Sequence, residues 1–485
     1  MSETHAQTVT FFRESMLPPM PPPITERGAV KWLRENLFSS VFNAALTAFG
    51  LLVIGWLVAT SLPWWLNSVW NASSLSECRD IVVASAGEGA TGACWAMVRH
   101  WWSAFIFGFY PPEEWWRPVL SLGLLFAALA PALFSGEKRN LSIVIGTAAL
   151  FLAVTLYLAG TPTVPFLLGM ALILGLLALA QVAPFKLFWF TLIYPALMYW
   201  LLWGGSVWSP IVAMAGFGVL YLAFRIASPI IGLAPGAGLG VLAAVLWWLY
   251  IDIPVVGLLQ AALPFEIVSV NSDRFGGFLL ATVIGVTAIT FSLPIGILLA
   301  LGRQSDMLIV KSLSVAFIEF VRGVPLITLL FTASLLLQYF LPPGTNFDII
   351  LRVIILVTFF AAAYLAEVIR GGLAALPRGQ YEAADALGLD YWRAQRLIIL
   401  PQALKVSIPA IVSTFIGLFK DTTLVSFVGL MDPLRGVTQI VRADIDWKGI
   451  YWEPYIFVGA IFFIICFGMS RYSMYLEQKL KTDHR

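Results

Sequence analysis

Residues 377–388 read PRGQYEAADALG, and they lie in the longest polar break, Arg370 to Lys405, in the second half of an otherwise apolar chain. The segment reads as helix, turn, helix. Pro377 suits a first helical turn, where a missing N–H is no loss. Ala383, Ala384 and Ala386 are strong helix formers of small volume. Gly388 suits the left-handed residue that closes a helix, Asp390 can cap the next one, and Pro401 is expected to break that one in turn. A short helix of small side chains, held away from its neighbours, has the shape of an element that enters a groove on another protein.

Outside this break the chain is built for lipid. Hydrophobic residues make up 60% of the 485 and charged residues 12%, which leaves too little polar surface to enclose a water-soluble domain. Apolar runs of about 20 residues, the length a helix needs to cross a hydrocarbon core, recur along almost the whole length. They are continuous rather than alternating with polar residues, which argues against barrel strands. The expected fold class is therefore an all-α polytopic membrane protein. The net charge of +2 comes with no basic patch of the kind that binds nucleic acid.

We place spans at 43–63, 118–134, 141–160, 165–182, 187–204, 210–227, 230–250, 277–302, 324–341, 349–369, 404–430 and 454–472. The first follows a polar segment too long for a signal-peptide n-region and has no small-residue cleavage site, so it is expected to be retained. Before it lie a proline cluster, Pro18 to Pro23, and a mixed-charge stretch, Thr25 to Ser40, that reads as an interfacial helix.

Lys and Arg then orient the spans, because short cytoplasmic loops accumulate them. Lys31 and Arg34, Lys138 and Arg139, Lys186, Arg225, Arg303 and Lys311, Arg370 to Lys405, and Arg471 to Lys481 fall on one side. Both termini are expected to be cytoplasmic. The other side is short of Lys and rich in tryptophan at span ends, among them Trp64, Trp65, Trp70, Trp115, Trp116, Trp208, Trp247 and Trp248, as an aromatic belt would be. Cys78 and Cys94 lie in the external loop 65–117, where an oxidising compartment permits a disulfide and two free thiols are the alternative.

The chain is expected to divide into a tail and interfacial helix (1–42), an additional transmembrane domain (43–250), an external connector (251–274), a working module (275–473) with its cytoplasmic loop 370–405, and a tail (474–485). Loops dense in charge set the module apart from the spans before it.

Three motifs in the module carry a resemblance. Glu382-Ala383-Ala384, Gly388 four residues on, and Ile398 with Leu400-Pro401 beyond resemble the EAA loop of membrane subunits of bacterial ABC importers with the type I permease fold. Upstream, IEFVRGVPL at 318–326 resembles a segment typical of the polar amino-acid branch, as does KDTTLVS at 420–426 downstream. The match covers about 275–473, arranged as about five spans around the motifs. The spans before it look like those of the larger permease in general L-amino-acid importers, which pairs with a second, related permease.

The resemblance implies that Tyr381, Glu382, Ala383, Ala384, Ala386, Leu387 and Gly388 form a coupling helix that docks into a cleft on a separate ATPase. A pair of such ATPase subunits would bind ATP and Mg, leaving this chain without a cofactor. The further partners implied are a homologous permease, a periplasmic amino-acid-binding protein and the bilayer of a bacterial inner membrane. Glu319, Arg322, Gly323 and Pro325 would support the gate or scaffold; by spacing alone, Glu319 and Arg322 could form a local surface ion pair.

Lys420 and Asp421 fall inside a span, where a lone charge costs about 2.5–3.5 kcal/mol. Adjacent residues point about 100° apart on a helix, so they cannot form one compact pair unless the helix breaks. Gly417, Thr422 and Thr423 make a break plausible. This stretch either lines the translocation path or anchors a neighbouring subunit.

The chain has no G-x-x-x-x-G-K-[ST] phosphate loop, so it does not hydrolyse nucleotide itself. Its histidines, His5, His100 and His484, are scattered and form no metal site with its cysteines. An enzyme is not expected. An ion-coupled secondary transporter is the rival, but it calls for internal repeats and acidic residues within several spans. A pure scaffold would suit the first spans and not the module.

Overall fold

The structure, a computed structural model, describes residues 28–134, 137–340 and 348–480. The proline cluster expected to form a tail, and the last residues of the C-terminal tail, lie outside them. The described chain is helical: α1 (Gly28–Asn36), α2 (Val41–Leu66), α3 (Leu75–Ala86), α4 (Ala96–Phe107), α5 (Trp116–Leu133), α6 (Lys138–Leu158), α7 (Thr163–Val182), α8 (Leu187–Trp203), α9 (Trp208–Ile231), α10 (Leu233–Leu246) and α11 (Asp252–Ala262). There follow α12 (Gly277–Gln304), α13 (Leu308–Gly323), α14 (Leu326–Phe340), α15 (Ile349–Ala374), α16 (Gly379–Ala386), α17 (Tyr391–Ala394), α18 (Leu400–Asp421), α19 (Pro433–Ala443) and α20 (Trp452–Leu480). A two-residue antiparallel strand pair joins Gly205–Ser206 to Glu266–Ile267. Among the described residues, 11 helical stretches are long and apolar enough to cross a membrane, or 12 if a bent pair counts as one span.

Packing divides the chain into Met1–Ala96 and Met97–Arg485. In the first unit α2 buries none of its residues, as expected of a lone span whose neighbours are lipid. Ser40 caps it, its hydroxyl accepting from the Asn43 N–H at 3.1 Å. Beyond α2, the Val69 N–H donates to the Ala93 carbonyl and the Ala93 N–H to the Trp64 carbonyl. The Trp95 ring gathers Trp64, Trp65 and Trp70, at centroid separations of 6.4, 5.5 and 5.6 Å. Cys78 and Cys94 are bonded through sulfur across a Cα separation of 6.0 Å and 16 residues of sequence. Closing a loop of that length is worth about 3 kcal/mol. Replacing Cys78 with Ser is expected to open 67–96 to limited proteolysis, with wild-type resistance lost on reduction. Equal digestion of the oxidised wild type and the variant would remove the bridge from the account.

In the second unit α5 to α8 share a core of Leu124, Leu141, Ile145, Leu152, Ile173 and Leu187. The helix of α10 does not stop near 251, where the connector was expected to begin. A π turn at Trp247–Ile251 carries it into α11, so the rod ends at Ala262. The Trp247 and Trp248 indoles donate to the Val212 and Ala213 carbonyls at 3.0 and 2.9 Å. The boundary expected near 251 lies within this packed unit. Phe107, Tyr110, Leu202 and Val270 share one core with Leu280, Ile284, Val353 and Val357. Loop charge density marks a change of composition, but it carries no information about which faces pack together.

Three glycines, Gly108, Gly276 and Gly277, meet at one tight crossing. Gly108 and Gly277 have φ of +68° and +57°, and a Cβ on Gly108 would lie 2.4 Å from the Gly276 Cα. At the opposite end of these spans α20 is tied down: Tyr472 OH donates to the Leu133 carbonyl, and Lys479 pairs with Glu137.

Two other expectations change. The span expected at 324–341 is the 15-residue α14, bent 101° from α13. Val324 is extended (φ −110°, ψ 132°), as a residue before proline prefers, and Pro325 has no N–H with which to continue α13. Pro401 does not break its helix. A π turn at Gln395–Ile399 precedes it, and proline then sits in the first turn of α18, where it is tolerated. The helix is continuous over Tyr391–Val428.

Candidate functional site: an exposed helix above a charged hub

The loop between α15 and α18 presents α16. Pro377 stands just before it, its carbonyl accepting from Gln380 N–H at 3.1 Å, and the helix begins at Gly379. Gly388 ends it at φ +67°. Its N–H donates to Asp385 O at 2.9 Å, and Leu389 N–H reaches back to Ala384 O at 3.2 Å, the paired closure of a left-handed cap. Asp390 then caps α17, its Oδ1 accepting from Arg393 N–H at 2.9 Å. Ala384 is buried (1% exposed) and Tyr381 packs on the core beneath, while Glu382, Ala383, Ala386 and Gly388 face outward. Gln402 Nε2 holds the start of α16, donating to Gln380 Oε1 at 3.0 Å. Beside the helix Leu387, Tyr391 and Trp392 are 73%, 52% and 59% exposed, and the Tyr391 and Trp392 rings meet edge to face at 5.4 Å.

A charged hub joins α12, α13 and α15 at the end of α15 that leads into this loop. Glu367, 15% exposed, takes Arg303 at 2.8 Å, Arg370 at 3.0 Å and Arg322 at 3.9 Å. Arg303 also bonds Glu319 at 2.8 Å. The local Glu319–Arg322 pair allowed by spacing is absent among the described residues, because each side chain reaches a different helix. Arg322 also lies over the Tyr364 ring at 5.4 Å. Gly323 and Pro325 form the bend that brings α13 to the hub. The sequence reading missed Arg303 and Glu367 as partners. A single Glu at the end of the apolar run 349–369, three residues before Arg370, is the signal that could have found them.

Lys420 to Thr423 stand at a real change of helix. The α-helical pattern ends at Asp421, a 3-10 stretch runs Thr422–Val428, and Gly429 closes it at φ +97°. Among the described residues no ion pair joins Lys420 to Asp421. Thr422 is fully buried and donates to Phe419 O at 2.7 Å, whereas Thr423 donates to Lys420 O at 2.9 Å. None of these four lines the cavity of about 560 Å³ bounded by α5, α8, α12 and α15.

After this turn, Asp432 caps α19, accepting from the Leu434 and Arg435 N–H groups at 2.9 and 3.3 Å. Burial pushes its carboxyl up to about 6 from the ordinary 3.8. The folded state therefore holds this proton more tightly than the unfolded chain does. The contribution is full below about 3.8 and is lost as pH rises through about 6. Asp432→Asn keeps a cap acceptor and removes the titration. The variant is expected to match wild type near pH 4 and to melt higher at pH 7.5. An unchanged difference between the two pH values would show that this carboxyl is not raised.

A many-span helical chain with a motif-bearing loop held out from the bundle has the form of a membrane transport permease. Residues 292–482 match the family described as the binding-protein-dependent transport system inner membrane component. Over 98% of its length the chain is 60% identical to the glutamate/glutamine/aspartate/asparagine transport system permease protein BztC of Rhodobacter capsulatus, covering 99% of that protein. It is 34% identical to the inner membrane amino-acid ABC transporter permease protein YhdY of Escherichia coli K12, over 96% of each chain. The glutamate/aspartate import permease protein GltK of Escherichia coli O6:H1 is 33% identical over 42% of this chain and 91% of its own length. The chain belongs to the family of membrane permease subunits of ABC-type amino-acid and polar-solute importers. It is a multi-pass, non-catalytic transport subunit, in a family whose importers combine such permeases with an ATPase and a periplasmic binding protein.

Proposed function

We propose that this chain forms half of the translocation path of an importer for acidic amino acids and their amides, with a homologous permease forming the other half. The near full-length identity to BztC supports the substrate class. α16 is the coupling element, seated in a cleft on one of a pair of ATPase subunits. The observation that carries this role is its form: an exposed small-residue helix, closed by a left-handed glycine and backed by Tyr381 and Ala384. Both termini are cytoplasmic, as the Lys and Arg bias supports, which places α16 and the Glu367 hub on the cytoplasmic side. The module of about five spans, 275–473, accounts for transport, and the spans before it are an added domain. The family match confined to residues 292–482 supports that division.

The transport cycle follows from two-state packing. A binding protein delivers substrate to the external face, and closure of the ATPases moves α16 with α15 and α18. The arginine–glutamate hub holds α12, α13 and α15 together as that motion passes inward. Affinity purification in mild detergent from the native host, followed by mass spectrometry, tests the assembly. Recovery of an ATPase and a second permease is expected, with the ATPase lost on Glu382→Lys. Recovery of this chain alone would contradict the assignment.

A further inference from the structure

The cavity of about 560 Å³ within the second unit lies where α5 and α8 meet α12 and α15, and its shape says what fills it. Its lining runs on α8 from Trp203 to Thr191, about 18 Å at the helical rise of about 1.5 Å per residue. That is close to one leaflet of hydrocarbon, about 15 Å. A partner's span needs about 30 Å of wall to cross the hydrocarbon, so a slot of about 18 Å is too short for one and suits an acyl chain. The wall is apolar for most of its depth, with Met198, Val283, Val286, Ile295 and Ile354 along it.

One end differs from the rest. Tyr199, Trp203 and Asp348 form a rim there, with the Tyr199 and Trp203 rings stacked at 5.3 Å. Trp203 Nε1 donates to Ser272 Oγ at 2.7 Å, and Ser272 in turn bonds Asp348. Amphipathic rings beside a polar cluster are what a span presents at the headgroup level. The cavity is open along one flank, since Leu351, Ile355 and Phe291, which line it, are 45%, 37% and 47% exposed. In a bilayer that flank faces hydrocarbon, and an empty apolar slot beside it would forfeit packing on every wall.

We propose that this groove binds one phospholipid, with an acyl chain along α8 and α12 and its glycerol and headgroup at the Tyr199–Trp203–Asp348 rim. The lipid fills the joint between α5 and α8 of the added spans and α12 and α15 of the module. With the orientation proposed above, it belongs to the outer leaflet.

The test uses the importer purified with its partners in mild detergent. Native mass spectrometry is expected to find one phospholipid retained per copy of this chain after detergent exchange. Thr290→Trp fills the groove from its exposed edge, and retention is expected to fall at least fivefold while transport-complex assembly persists. A photoreactive residue at Ile355 is expected to yield a phospholipid adduct. Retention of detergent only, equal lipid retention in Thr290→Trp, or an Ile355 adduct with the second permease instead of lipid would each overturn the proposal. Should Thr290→Trp not assemble, the Ile355 adduct decides alone.

Discussion

Gly277→Val is expected to abolish accumulation of the folded protein. Gly277 has φ +57°, a region in which a β-branched residue is a genuine outlier. Its Cβ would also stand 2.2 Å from Phe105 O and 2.6 Å from Phe105 C. These are backbone atoms, so no side-chain rotation relieves the clash. The Gly277 N–H, moreover, is bonded to Met431 O at 2.8 Å, which ties the start of α12 to the turn before α19. Strain, clash and a lost tie act on one point, and we expect a loss above about 4 kcal/mol, in the range reserved for named core defects. Yield and thermal melting in detergent measure it. A variant that purifies at wild-type yield and melts within about 2 °C would show that this crossing is not closed.

Glu367→Ala should rank second. It leaves Arg303, Arg322 and Arg370 crowded with no carboxylate between them, apart from Glu319 on Arg303. Removing one partner of a fully buried pair costs about 3–5 kcal/mol. The three guanidinium side chains are 25%, 34% and 43% exposed, so water screens them and we expect about 2 kcal/mol instead. Glu319→Ala removes a carboxylate that is 55% exposed and is expected to cost under about 0.5 kcal/mol. Melting of both variants in one detergent checks the ranking. Equal losses would mean that the hub is a surface network with no centre.

What the sequence revealed divides along the range of the forces involved. The Gly388 closure and the Asp390 cap were legible because each depends on φ preference and side-chain reach within a few residues. Most span positions were legible because hydrophobic length is a local quantity, the bent pair α13–α14 being the exception. Glu319 and Arg322 were not legible as a set. Their true partners, Arg303 and Glu367, lie on other helices, and spacing along one helix cannot show a choice made between three. Pro401 and the run past 251 were misread for a related reason. Each is carried by a π turn, which inserts a residue without ending the helix and leaves no compositional mark. The rival of ion coupling needed acidic residues within several spans, and family membership now sets it aside.

Gly388 makes a sharp contrast with Gly277. Both have positive φ, but nothing lies within 4 Å of a Cβ placed on Gly388. Gly388→Val therefore strains only the cap of α16, by about 1–2 kcal/mol, and leaves the bundle unchanged. Its effect should be confined to whatever α16 contacts. The most direct measurement is substrate-stimulated ATP hydrolysis and uptake by the complete importer in liposomes, compared between wild type and Gly388→Val at matched melting temperature. If α16 couples ATPase to permease, uptake falls at least tenfold while binding-protein docking persists, and ATPase activity is either lost or no longer stimulated by substrate. Wild-type uptake and stimulation in that variant would contradict the account at its centre.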